Sequence, residues 1–473
     1  MLTGNRFRCY PTKTQEDILL RWIGCQRFIY NSKVLENRYF RKFAKKSLSL
    51  AGYPIPVDQQ YAQFIGENTV WLRDVPSQVL RNGANLWFGA YSRYFRKLSE
   101  RPKIHKNYGE QSVWLTSELF RFDPVIDQET GEITRQRLIV GTKKYPVGGL
   151  RFKTHKPFEI PKSIHISVHA GRWHVSFCHE DGNIAPSKEE TITWLQQFSR
   201  EELAEQTLGF DRGVVIPLAG SNGTGFDISD IEKERIQKKE RYVKRWQRIK
   251  ARRQKGSSRY RKAKYKIAQY KQYAVNVRTN FAHQTSRTIV KQPDKFLFVF
   301  EDLAVQNMVR KPKAKKDTNG KFIKNGRRAK AGLNRSILSS SWGNLLKFTT
   351  YKAERLGKLV LTVPAHHTSQ TCSQCGYIHQ DNRIDQSRFV CHACGHQDNA
   401  DINAARVIAQ RGIKTLLDNA ITKKEIMRCG IHKGKPGQEL AEGTPVESQV
   451  RRAVGDNRTH GTLKRETPAR ALA

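Results

Sequence analysis

Two hydrophobic periodicities divide the chain. Arg6 to Tyr10 alternates polar and apolar residues as a strand does, and Pro11-Thr12 ends it ahead of a helical pattern. After Thr14, the predicted N-cap, apolar residues Ile18, Trp22, Cys25 and Ile29 follow at steps of four, three and four, with Arg21, Arg27 and Lys33 between them. A second helix is predicted from Pro76 through Leu80, Ala84, Trp87, Tyr91 and Tyr94 to Leu98. Residues 12–105 thus read as a basic helical domain, helix-turn-helix-like, with its aromatic stripes assigned to its core. Short alternating segments then take over: Ser112 to Phe122, Leu138 to Val140, and Ile164 to Cys178 broken at Ala170-Gly171. They predict a small β-barrel over residues 111–182 that residues 1–10 join, so that the helical region is an insertion.

Residues 232–290 carry the clearest helical signal, an αα-hairpin turning at Gly256-Ser257-Ser258. Its second arm spaces Tyr260, Ala263, Ile267, Tyr270, Ala274, Val277 and Phe281 as a packing seam. The first arm keeps a narrow apolar face of Ile236, Val243, Trp246 and Ile249, but 12 of its 23 residues from Lys233 to Lys255 are basic. Such a run is either a solvated face or a surface that lies along phosphate, and its self-repulsion favours the second. Residues 309–332 are rich in Lys, Arg and Gly without periodicity and predict a loop that orders on a polyanion. Lys244, Arg245, Arg248, Arg252 and Arg253 of the hairpin, and Lys311, Lys313, Arg327 and Arg328 of the loop, are the nucleic-acid-contact candidates. Residues 419–473 read as a polar, disordered tail.

Charge narrows the partner. Lys and Arg number 85 against 43 acids, a formal net charge of +42. Neither an apolar run of about 18 residues nor a cleavable signal is found, so a membrane is excluded as partner and nucleic acid is favoured. The expected location is the cytoplasm of a prokaryote, on the nucleoid when bound to DNA.

Of the eight cysteines, four form two close pairs, Cys372-x-x-Cys375 and Cys391-x-x-Cys394, separated by 15 residues and each followed by glycine. That spacing predicts a structural Zn²⁺ with four thiolate ligands and no open coordination position. Cys9, Cys25, Cys178 and Cys429 are scattered.

Three acids occupy unusual places. Asp211 interrupts an apolar strand read over 208–216, and Glu301 follows Phe-Leu-Phe-Val-Phe at 296–300. Asp401 opens a helix of small residues, Asn399-Ala400-Asp401-Ile402-Asn403-Ala404-Ala405. A carboxylate at a buried strand is costly unless paired or metal-bound. Each acid alone suits a salt-bridged strand end as well as a ligand. Together they offer the hard oxygens Mg²⁺ needs, and two such ions support phosphodiester hydrolysis.

Around these acids the chain resembles the TnpB family of transposon-encoded RNA-guided nucleases. The matching motifs run in order: Tyr10-Pro11-Thr12 with Gln15 and Tyr30-Asn31, Gly209 to Gly213, Arg278 with Phe281-Ala282-His283, and Phe300-Glu301-Asp302-Leu303. They continue with Gly332-Leu333-Asn334-Arg335, Tyr351-Lys352-Ala353-Glu354, Thr368 to Gly376, and Asn399 to Ala405. The resemblance covers roughly residues 1–410. It implies an α+β multidomain protein: a wedge-like β-barrel (1–10 and 111–182), a helical recognition domain (12–105) and an RNase H-like (RuvC) nuclease core (205–410) with a zinc-finger insertion (369–396). It implies Asp211, Glu301 and Asp401 as catalytic Mg²⁺ ligands, for two ions that Mn²⁺ can replace, and Cys372, Cys375, Cys391 and Cys394 as Zn²⁺ ligands. The implied partners are a transposon-derived guide RNA and double-stranded target DNA cut beside a short adjacent motif. A compact CRISPR effector is similar in kind. Strand transfer by a transposase, or guided binding without cleavage, are the alternative activities.

Overall fold

The computed structural model describes residues 2–43, 55–126, 133–154 and 158–418. The tail at 419–473, Cys429 included, lies outside the described residues. The N-terminal part contains strands β1 (Leu2–Cys9), β2 (Gln111–Thr116), β3 (Phe120–Ile126), β4 (Ile133–Gly141), β5 (Pro146–Leu150), β6 (Phe152–Lys153), β7 (Ser163–His169) and β8 (Arg172–Glu180). Helices α1 (Lys13–Phe43) and α2 (Ser77–Phe95) lie between β1 and β2 in the chain. Hydrogen bonds join the strands as an antiparallel sheet ordered β2-β7-β8-β1-β6 and a second sheet ordered β3-β4-β5. Both sheets feed one core, in which Phe7, Phe177 and Leu138 meet Trp22 and Ile29 of α1 and Leu80 of α2.

Two helix boundaries depart from the sequence reading. α1 starts one residue before Thr14, because Thr12 and Gln15 form a reciprocal cap: Gln15 N donates to Thr12 Oγ1 at 3.3 Å and Thr12 N to Gln15 Oε1 at 3.0 Å. α2 stops at Phe95 rather than Leu98, and Lys97 sits in the left-handed region at φ 58°.

The C-terminal part opens with short helices α3 (Lys188–Leu195) and α4 (Arg200–Gln206), each started by a Ser/Glu capping box. Strands β9 (Thr207–Asp211), β10 (Leu218–Gly220) and β11 (Gly225–Phe226) precede the basic hairpin of α5 (Asp230–Ala251) and α6 (Ser258–Val290), which turns at Gly256. Then come β12 (Leu297–Asp302), α7 (Val305–Met308), the small ladder β13 (Lys315–Lys316) and β14 (Phe322–Ile323), α8 (Arg327–Ser339), α9 (Trp342–Glu354) and β15 (Leu359–Pro364). β16 (Arg388–Val390), β17 (Gln397–Asn399) and α10 (Ala400–Leu417) complete it.

The sheet order is β11-β10-β9-β12-β15, with β9, β12 and β15 parallel and the other pairs antiparallel. Alternate residues serve opposite faces. Leu208, Phe210, Phe298 and Phe300 pack with Ala282 and Ile289 of α6 and Leu345 of α9. Leu297, Val299, Leu359 and Leu361 pack with Ile408, Ile413 and Leu416 of α10. A sheet between two helical layers results, and each phenylalanine so buried contributes about 1.5–3 kcal/mol.

Two further sequence expectations need correction. The strand read over 208–216 ends at Asp211: Gly213 turns tightly, its Cβ direction meeting the Ile216 carbonyl oxygen at 2.6 Å, and pairing resumes at Leu218. The loop read over 309–332 holds the β13–β14 ladder, and its last residues form the first half of α8. Charge masked the helix-forming Arg, Ala and Lys residues there.

Candidate active site

Strand register brings the first two acids together. Parallel pairing sets Phe210 beside Phe300, so Asp211 and Glu301 are the next residue on each neighbouring strand. The two phenyl rings stack with centroids 5.0 Å apart on the α6 face, which turns both carboxylates to the α10 face. Asp401 enters from the first turn of α10. That helix begins where Asn399 caps it, the side-chain oxygen accepting from Asp401 N at 3.0 Å and Ile402 N at 3.3 Å. Asn399 therefore works as a cap. Gly209 and Ala405 let α10 lie close on β9, since a Cβ on Gly209 would fall 2.1 Å from the Ala405 carbonyl oxygen.

The electrostatics register this convergence. Burial, then the charges of Glu301 and Asp401, push the Asp211 carboxyl up to about 7, with Arg383 acting against them. Glu301, 6% exposed, is also raised by burial, opposed by a hydrogen bond from Thr368 and by the Arg212 and Arg411 charges. Thr368 Oγ1 donates to Glu301 Oε1, and Arg212 Nη2 to the Glu301 carbonyl. Arg383 Nη2 donates to Asp401 Oδ1 at 3.2 Å. Glu301 and Asp401 thus raise the proton affinity of Asp211, and all three offer hard oxygen donors.

The cysteines form a second site. Cys372 Sγ lies 3.7 Å from Cys394 Sγ and Cys375 Sγ 3.6 Å from Cys391 Sγ. Among the described residues this is the one group of three or more candidate ligands whose donor atoms all lie within 4.8 Å of one another. A tetrahedron with metal–sulfur bonds of about 2.3 Å has edges of about 3.8 Å, so the four sulfurs fit a structural metal. The two turns are built alike. Gly376 N donates to Cys372 O and Gly395 N to Cys391 O, both at 3.0 Å, and Gly376 and Gly395 have φ of 76° and 73°. Asn403 of α10 bolts this knuckle to the helix: its Oδ1 accepts from Ser373 N at 3.0 Å and its Nδ2 donates to Thr371 O at 2.8 Å.

All nine basic candidates of the hairpin and loop are exposed. Lys244, Arg245 and Arg248 lie on α5, Arg252 and Arg253 just beyond it, Lys311 and Lys313 after α7, and Arg327 and Arg328 at the start of α8. Thr368, Arg212, Arg383 and Asn403 escaped the sequence reading as individual contacts. Arg212, Thr368 and Asn403 lie inside the motifs quoted above, the one signal that marks them.

Three family models match the chain in order: "Helix-turn-helix domain" at residues 1–39, "Probable transposase" at 185–311, and "Cas12f1-like, TNB domain" at 342–408. The chain is 28% identical over 418 residues to "Putative RNA-guided DNA endonuclease InsQ" of Escherichia coli (strain K12), covering 87% of this chain and 92% of that protein. These matches agree with the resemblance to the TnpB family that the motifs carry. Another relative, "Putative RNA-guided DNA endonuclease" of Streptomyces pristinaespiralis, is 26% identical over 430 residues, covering 86% of this chain and 89% of that protein. A stretch of 71 residues is 48% identical to "CRISPR-associated endodeoxyribonuclease Cas12f1" of Sulfoacidibacillus thermotolerans, 15% of this chain and 17% of that one. Among solved structures, the mini-RNA-guided endonuclease CRISPR-Cas_phi3 overlaps 87% of this chain and 92% of its own at a TM-score of 0.41 and 11% identity. Among the described residues no helix is long and apolar enough to cross a membrane.

Proposed function

We propose that this chain is a TnpB-family, RNA-guided, Mg²⁺-dependent DNA endonuclease that cuts target DNA beside a short adjacent motif, with Asp211, Glu301 and Asp401 as its metal ligands. What carries the reading is the parallel register of β9 and β12, with Asp211 and Glu301 facing the helix whose first turn bears Asp401. The endonuclease names of the two relatives aligned over most of their length support the same activity. The core is read as RNase H-like, and residues 1–10 with 111–182 as a wedge-like barrel bearing the helical recognition insertion at 12–105.

The residues fit the ions by the chemistry of their donors: three acids, with Asp211 held near 7 by burial and its acidic neighbours, accept a divalent cation that relieves their repulsion. When bound, a pair of Mg²⁺ ions would supply an activated water and stabilise the leaving oxygen, and Mn²⁺ would substitute on the same oxygen ligands. Asp211, Glu301 and Asp401 orient that chemistry. Thr368 and Arg212 hold Glu301 in place, and Arg383 balances charge at Asp401. Cys372, Cys375, Cys391 and Cys394 hold Zn²⁺, which keeps the segment leading into Asp401 in position. The nine exposed cations of the hairpin and loop contact guide RNA and its duplex with the target.

The test is to sequence RNA that co-purifies with the chain and incubate the complex with a plasmid matching its guide. A discrete RNA and linear plasmid in Mg²⁺ are expected. No discrete RNA refutes guidance, and joined ends in place of linear product refute hydrolysis.

A further inference from the structure

α5, α6, α8 and the segment after α7 enclose a cavity of ≈ 470 Å³. Five of its lining residues are cations, Arg278, Lys311, Arg327, Lys330 and Arg335, against one acid, Glu240. Among the described residues none of the five makes an ion pair within 4.0 Å. Arg278 is half-buried, and that burial weighs against its charge while Glu240 supports it, so the site is short of anionic charge. The remaining wall includes Pro312, Ala331 and Leu338, an apolar surface that an inorganic anion does not need. The volume lies within the ~300–1,000 Å³ range of small-molecule sites. Asn334, also on the wall, donates through Nδ2 to Val309 O at 2.7 Å, while its Oδ1 is buried without a hydrogen-bond partner. A buried acceptor of this kind calls for a donor, such as a base amino group.

We propose that this cavity is a nucleotide site that takes one unpaired nucleotide of a bound nucleic-acid strand, with its phosphate against Arg278, Arg327 and Arg335 and its base against Pro312 and Leu338. The Asn334 amide reads an amino group on that base. The proposal deepens the nucleic-acid reading given above and rests on it for the strand, because the same chemistry would hold a free nucleotide.

The full chain, freed of co-purified nucleic acid, is titrated calorimetrically with 5′-AMP and with inorganic phosphate. A single-stranded oligoribonucleotide carrying 8-azidoadenosine, which keeps the base amino group, is photocrosslinked to it and the sites are mapped by mass spectrometry. AMP is expected to bind more tightly than phosphate and to displace crosslinks that fall within residues 327–339. Ala331→Glu puts a carboxylate on an exposed part of the cavity wall and is expected to weaken AMP at least about tenfold through like-charge repulsion. Gln59→Glu, the same charge change at another exposed position, is expected to leave AMP binding unchanged. AMP bound no tighter than phosphate, or Ala331→Glu behaving as wild type, overturns the nucleotide site. AMP binding without strand crosslinks in 327–339 overturns the strand assignment in favour of a free nucleotide. Guided cleavage by the wild-type chain is measured alongside: cleavage accompanied by those negative results retires the cavity proposal and leaves the nuclease reading standing.

Discussion

Adding one methyl group at Gly209 is expected to disable the site from beneath. The Cβ of Gly209→Ala would lie 2.1 Å from the Ala405 carbonyl oxygen, 2.6 Å from Ala409 N and 2.9 Å from Ala409 Cβ. Ordinary contact begins near 3.4 Å, so α10 must retreat by about 1.3 Å along the closest contact, from 3.4 minus 2.1. Two of the three clashes are with backbone, so no side-chain rotation relieves them. Overpacking of this kind costs about 1–3 kcal/mol, and at roughly 2–4 °C per kcal/mol for a unit of this size the melting midpoint falls by about 2–12 °C. Because α10 carries Asp401, a displacement of about 1 Å should slow cleavage roughly 10²-fold. Single-turnover cleavage of a guided target, with thermal unfolding followed in parallel, measures both. Adding Ala409→Gly should not rescue activity, since the contact with the Ala405 oxygen remains. Wild-type cleavage and an unchanged midpoint for Gly209→Ala would refute the argument that close approach of α10 to β9 positions Asp401.

Asn403→Ala leaves Ser373 N and Thr371 O without their buried partner, and should lower stability by about 1–3 kcal/mol; an unchanged melting midpoint would show that the knuckle is held by other means. Cys375→Ser should lose zinc by elemental analysis and most cleavage with it, whereas full activity at ordinary temperature would remove the zinc from its scaffolding role. Asp211 has its carboxyl raised from 3.8 to about 7 by burial and its acidic neighbours. A proton bound more tightly in the folded state stabilises the metal-free chain fully below the lower value, and that contribution is lost as pH rises toward the higher one. The melting midpoint in chelator should therefore contain a downward component between about pH 4 and pH 7 that Asp211→Asn removes. An identical pH profile for the variant would contradict it.

How much of this was open to the sequence varies with distance along the chain. The cysteine knuckle was readable because each half-site is a four-residue turn with its own glycine, and the metal's demand for four sulfurs supplies the pairing. The acids were readable one by one as carboxylates in apolar settings. Their meeting depends on which residue of β12 lies beside Phe210 and on how closely α10 can approach Gly209, and neither is a local property. The supporting contacts are hidden for the same reason. Thr368 reaches back to Glu301, Arg212 reaches forward to the same residue, and Arg383 reaches Asp401 across the knuckle. The cap at Thr12, by contrast, is available in the Thr-x-x-Gln spacing. At Arg327-Arg328 the density of charge concealed good helix formers. The helical hairpin was legible from its seam, while β1 of the N-terminal part depends on partners more than a hundred residues away, β6 and β8.

The most direct test compares guided plasmid cleavage in Mg²⁺ by the wild-type chain with Asp211→Asn, Glu301→Gln and Asp401→Asn, each shown to retain its co-purified RNA and to bind the target. The wild type should linearise the plasmid and every variant should leave it uncut while binding it equally well. Cleavage at the wild-type rate by any one of the three would contradict a single metal site built from Asp211, Glu301 and Asp401.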